Sequence, residues 1–128
     1  MRILLDSHTL FWFLHGDARL SRLAREAIEA IDAAVHVSAI TAWEIAYKSG
    51  AGKWPQAEIL ARDFLGIMST HGFEPLSLSL EHARHAGLLP SPHRDPFDRM
   101  LAAQAEIEDI PLVTADPVFR QFNVRTLW

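Results

Sequence analysis

Four carboxylic acids stand where short apolar runs of the chain come to an end or a helical pattern begins. Asp6 follows Arg2-Ile-Leu-Leu, Glu44 comes soon after Val35-His-Val, Asp98 precedes Met100-Leu-Ala-Ala, and Asp116 follows Leu112-Val-Thr. Gathered at one place, four negative charges repel one another, and a lone buried carboxylate would take up a proton instead. A divalent cation resolves that conflict. An all-oxygen donor set selects a hard ion, Mg²⁺ or Mn²⁺, over the zinc or copper that imidazole and thiolate favour. One such ion, or two about 4 Å apart, would supply a nucleophilic water and offset the charge on a phosphodiester under attack. The chain has no cysteine, so thiolate metal sites, thiol nucleophiles and disulfides are excluded together.

Each acid also has a simpler reading. Asp116 before Pro117 and Asp95 before Pro96 look like helix N-caps, which would put Asp98 at the third helical position. Thr41-Ala-Trp-Glu44 reads as a capping box. Glu44 and Lys48 form an i,i+4 pair worth only about 0.2 to 0.5 kcal/mol. Yet Glu44 shares its helical face with Ile40 and Tyr47, partly apolar surroundings in which a bare carboxylate needs a cation or Lys48. Asp6 could cap a helix, but it also sits directly after a buried strand, where ligand sites form.

The elements that must position these residues follow from periodicity. Five strand-length apolar runs occur: 2–5, 35–37, 75–78, 111–114 and 123–127. Between them lie helical stripes, with Leu20, Leu23, Ala24, Ala27, Ile28 and Ile31 in one and Ile59, Leu60, Phe64 and Ile67 in another, both expected to face a core. Pro55 and Pro96 fit first helical turns, Gly50 and Gly72 fit helix ends, and a turn-rich loop from Gly87 leads into a helix over about 97–108. Alternating strands and helices predict an α/β fold with a parallel sheet covered on both faces. In such a sheet the strand carboxyl ends and helix amino ends share one edge, and all four acids fall on it.

At 128 residues, 49% apolar and 22% charged, the chain reads as one domain, 1–128, with a self-sufficient core. A net charge of -4 has the wrong sign for a module that holds nucleic acid by bulk electrostatics, although a bound cation changes the local sign at an acidic cluster. The densest apolar run, Leu10 to Leu14, is far short of the roughly 20 residues of a membrane span, and Asp6 and His8 interrupt any secretory pattern, so the expectation is a cytoplasmic protein. Leu10–Leu14 and Trp43 read as core, with a partner groove as the alternative; the histidines read as surface, with a supporting or substrate contact as the alternative for His8 and His93, which stand close in sequence to the candidate acids.

Leu4-Leu-Asp6-Ser7, Ser38-Ala-Ile-Thr-Ala-Trp-Glu44-Ile-Ala-Tyr-Lys48, Asp95-Pro-Phe-Asp98-Arg-Met-Leu-Ala-Ala-Gln-Ala and Leu112-Val-Thr114-Ala-Asp116 together resemble the PIN-domain family, and within it the VapC-type toxins of toxin–antitoxin pairs. The resemblance runs along the whole chain, and its most specific segment is 95–105. It implies a three-layer α/β/α sandwich on a five-stranded parallel sheet, Mg²⁺ or Mn²⁺ dependence, endonucleolytic cleavage of RNA, and a homodimer neutralised by an antitoxin, in some cases within a larger complex. It also implies that Asp6, Glu44, Asp98 and Asp116 are the catalytic metal ligands. Ser7 and Thr114 match the family's accessory hydroxyl positions. Asp95 is then a cap or supporting acid. Lys48, Lys53, Arg94 and Arg99 lie near the same edge and are candidate contacts to RNA phosphates, with a solvated surface as the simpler reading. The competing expectation is a catalytically inactive PIN-like binding protein that keeps only the partner surface. A phospho-accepting receiver fits less well, because it requires adjacent acids after the first strand and a lysine after the last.

Overall fold

The computed structural model describes residues 1–128. Strands β1 (Arg2–Leu5), β2 (Ala34–Ser38), β3 (Glu74–Leu76), β4 (Leu112–Val113) and β5 (Thr126–Leu127) form one sheet in the order β3-β2-β1-β4-β5, with every pairing parallel. Seven helices alternate with them: α1 (Ser7–His15), α2 (Arg22–Glu29), α3 (Ala39–Gly50), α4 (Glu58–Arg62), α5 (Phe64–His71), α6 (Leu80–Leu88) and α7 (Pro96–Glu108). All five predicted strands are present, within a few residues of their expected bounds. No helix is long and apolar enough to cross a membrane.

The central strand explains the layering. Successive strand side chains point to opposite faces, so Ile3 and Leu5 join one apolar cluster and Leu4 the other, all three fully buried. The first cluster packs β1 and β2 against α1, α2, α4 and α5; the second packs Leu4 and Leu112 against α6, α7 and Phe119. The order of strands reverses direction between β1 and β4. A crevice opens at such a switch point, outside the carboxyl ends of the strands.

Several sequence expectations need correction. The stripe over 59–67 is two helices, because Asp63 leaves helical geometry at φ -120°, ψ 39°. Leu23, Ile31 and Ile59 are exposed, and Ile31 lies beyond the end of its helix. Gly50 and Gly72 do stand at helix ends, Gly50 as the last residue of α3 and Gly72 as the left-handed cap of α5. Trp43 is exposed, while Leu10 and Phe11 are core. His36 and His82 are buried and not surface residues. His82 is satisfied in place: its Nδ1 accepts the Ser79 N–H at 3.1 Å and its Nε2 meets a Glu108 carboxylate oxygen at 3.1 Å. Burial, and then the Arg2 charge, hold His36 below its ordinary pKa.

Candidate active site

Asp6 ends β1 and caps α1. Its Oδ1 accepts the Thr9 N–H at 2.8 Å, and its Oδ2 accepts a short hydrogen bond from the Thr114 hydroxyl. The same Thr114 oxygen accepts the Asp116 N–H at 3.0 Å. One buried hydroxyl therefore binds the ends of β1 and β4 together and places Asp6 beside Asp116. Thr114→Val would strip a donor from a buried carboxylate and an acceptor from a backbone amide. Leaving such groups unpaired costs about 1 to 3 kcal/mol. Thermal melting should register that loss for Thr114→Val but not for Thr114→Ser, which keeps the hydroxyl; equal melting of the two would remove Thr114 from this role.

Asp116 caps the short 3₁₀ turn Pro117–Gln121 by accepting the Val118 N–H at 3.0 Å. Asp95 caps α7, its Oδ1 accepting the amides of Phe97 and Asp98. Both proline-flanked caps expected from the sequence are thus formed. Asp98 lies in the first turn of α7 with its Oδ2 2.7 Å from His93 Nε2. Glu44 projects from α3 and is paired with Lys48 at 2.6 Å. The capping box expected at Thr41 does not form, because α3 starts earlier: the Ser38 hydroxyl accepts the Ile40 N–H and donates to Gln104 at 2.5 Å.

These side chains share one concavity of about 140 Å³, lined by Asp6, Glu44, Asp98 and Asp116 together with Ser7, His8, Lys48, Asp95 and Phe97. A larger hollow of about 420 Å³, between β3, α3 and α5, has no ionisable side chain in its wall, so the acids are gathered in the smaller one. Burial pushes the Asp6 carboxyl above its usual range despite the opposing hydrogen bonds from Thr114 and Thr9. Burial also raises Asp98, with the charges of Asp95 and Asp116 adding to the effect and His93 opposing it. The donor atoms of His93, Asp95 and Asp98 lie within 4.8 Å of one another. An oxygen-rich crevice in which burial raises two of the acids, Asp6 and Asp98, fits a hard divalent cation.

Arg99 and Arg94 differ in position. The Arg99 guanidinium is committed to the carbonyls of Ala86, Gly87, Leu89, Ser91 and His93, so it organises the preceding loop and is not available to RNA phosphates as the sequence suggested. Arg94 is exposed and does not line the crevice. Sequence reasoning gave His93 no definite part and missed the buried Ser38–Gln104 bond. The Gln104 amide, fully buried and also donating to the Ser77 carbonyl, joins α7 to the ends of β2 and β3.

A family model described as the PIN domain matches residues 3–124, a span that includes all four acids. No curated protein matches the sequence. The fold is similar to that of VapBC2 from Rickettsia felis bound to a DNA fragment from its promoter, with a TM-score of 0.72, 18% identity, and 98% of this chain and 97% of that chain covered. It is similar to a toxin–antitoxin complex from Klebsiella pneumoniae, with a TM-score of 0.62, 24% identity, and 89% and 86% covered. It is also similar to Mycobacterium tuberculosis VapC20, a sarcin–ricin loop cleaving toxin, with a TM-score of 0.66, 15% identity, and 92% of both chains covered. At these identities the likeness carries the fold.

Proposed function

Because the chain belongs to the PIN-domain family, we propose that it is a metal-dependent endoribonuclease and the toxin of a type II toxin–antitoxin pair. The observation that carries this reading is the convergence of Asp6, Glu44, Asp98 and Asp116, from four separate segments, on one crevice at the switch point of a parallel sheet. The toxin–antitoxin complexes among its structural relatives support the partner half of the proposal.

Asp6, Glu44, Asp98 and Asp116 would hold one or two ions of Mg²⁺ or Mn²⁺, a choice supported by a donor set made of carboxylate oxygen. When bound, the ion supplies the charge that activates a water and offsets negative charge on the phosphoryl oxygens. The protein's own contribution is placement. Thr114 and the Thr9 amide fix both oxygens of Asp6, and the α7 amino end presents Asp98 from the facing wall. Lys48 holds Glu44 and adds a positive charge to the crevice. Ser7 lines the same wall, and exposed Arg94 is the candidate for a phosphate contact outside it.

The exposed Trp43 ring, stacked on Tyr47 at 4.8 Å, is apolar surface suited to cover by an antitoxin or by a second copy in a homodimer. The test of the activity is cleavage of a structured RNA at several internal positions in Mn²⁺ or Mg²⁺, lost on chelation and restored by adding the ion back. Cleavage that persists in excess chelator would refute the metal-dependent reading. An intact RNA under all conditions would favour the inactive binding protein.

A further inference from the structure

One histidine stands against a proposed ligand without belonging to the oxygen donor set. His93 is held from three directions. Its backbone N–H donates to Ser91 Oγ at 3.2 Å, its carbonyl accepts from Arg99 at 2.9 Å, and its ring packs edge-on against Phe122 at 6.1 Å. Arg99 is the residue after Asp98, and its five N–H bonds gather the carbonyls of 86–93 onto the first turn of α7. The loop that carries His93 is therefore fastened to the helix that carries Asp98. The outcome is a hydrogen bond of 2.7 Å from His93 Nε2 to Asp98 Oδ2.

We propose that His93 is a positioning residue for the cation site, donating to Asp98 Oδ2 so that the other carboxylate oxygen is turned to the ion. This inference rests on the metal-nuclease reading above. A carboxylate attached at one oxygen cannot rotate freely, and its remaining oxygen is presented in one direction. Partners that orient a metal ligand in this way typically change metal affinity by about 10- to 100-fold when removed. The Arg99 clamp makes the arrangement part of the fold, since it fixes the backbone from which the imidazole projects.

The experiment is Mn²⁺ binding to the full chain, followed by the electron paramagnetic resonance signal of free Mn²⁺ and requiring no RNA. His93→Ala should weaken binding by about 10- to 100-fold. His93→Gln, whose amide N–H can replace the donor, should recover most of that loss and also guards against a variant that merely disorders the loop. Binding by His93→Ala as tight as wild type, or tighter, would overturn the proposal, the latter because the imidazole would then be competing with the ion. Equal losses in both variants would also overturn it, since the imidazole would then be ligating the ion itself or only supporting the loop. Asp98→Asn separates the two levels of the argument. If wild type binds no Mn²⁺, or Asp98→Asn binds it as wild type does, the metal site itself is misplaced and this inference falls with it.

Discussion

Asp98→Asn is expected to reduce RNA cleavage by about 100-fold or more, while Asp95→Asn keeps most of the wild-type rate. A cation's stabilisation of a phosphoryl transition state is worth several kcal/mol, and each 1.4 kcal/mol is tenfold in rate. Both acids are near the crevice, so proximity alone does not separate them. Their hydrogen bonds do. Asp95 spends its Oδ1 on the amides that open α7, a role asparagine performs equally well, so Asp95→Asn removes charge and preserves the helix start. Asp98 has no backbone duty among its hydrogen bonds and meets only His93. Single-turnover cleavage in saturating Mn²⁺ is the measurement. Comparable losses from the two variants would mean that the site extends to Asp95, whose donor atoms lie within 4.8 Å of those of His93 and Asp98.

The second large effect has opposite signs with and without metal. Asp6 is buried and its carboxyl is raised above the ordinary range, chiefly by desolvation. Its folded-state pKa therefore exceeds its unfolded value, and the folded state holds the proton more tightly. The stability from that proton is present at acid pH and is lost as pH rises through the folded pKa. Above the usual carboxylate range and without metal, the buried Asp6 is then a burden, and Asp6→Asn should melt higher than wild type in excess chelator. The gap should close as pH is lowered toward the usual carboxylate range. For a domain of this size 1 kcal/mol moves Tm by roughly 3 to 5 °C. Adding Mn²⁺ should reverse the order. An ion at 100 times its Kd stabilises the folded wild type by about 2.7 kcal/mol, and the variant should gain little. Lower melting of Asp6→Asn at every pH in chelator would show that the hydrogen bonds of the acid outweigh the cost of its burial, and an equal gain from Mn²⁺ in both proteins would remove Asp6 from the cation site.

Much of the site could be read from the sequence because strands and capped helix starts leave local marks. Asp6 follows an apolar run that reads as a strand, and the Asp-Pro pairs at 95–96 and 116–117 announced N-caps that formed as expected. Periodicity was less reliable about where helices stop. Ile31 fits the stripe of α2 by spacing, yet the chain has left the helix before reaching it. Spacing also misplaced the start of α3, since the Ser38 hydroxyl caps that helix while donating to Gln104, 66 residues away. Loops leave no period at all. The carbonyls gathered by Arg99 are brought together by a chain path that no spacing rule describes, which is why Arg99 read as a candidate phosphate contact and His93 had no partner named for it.

The hydroxyl that bridges β1 and β4 also fixes when, during folding, the chemistry can first exist. Thr114 and Asp6 are 108 residues apart, so their contact closes nearly the whole chain into a loop. Closing a loop of that length carries a larger entropic cost than the local helices or the shorter loop of the β1–β2 pairing, and such long-range pairings form slowly. Partly folded chains with α1, β2 and α3 in place would hold Asp6 and Glu44 without Asp116 opposite them. The crevice is complete only once β4 is docked, and a chain that loses β4 loses the Thr114 bridge and the placement of Asp116 with it.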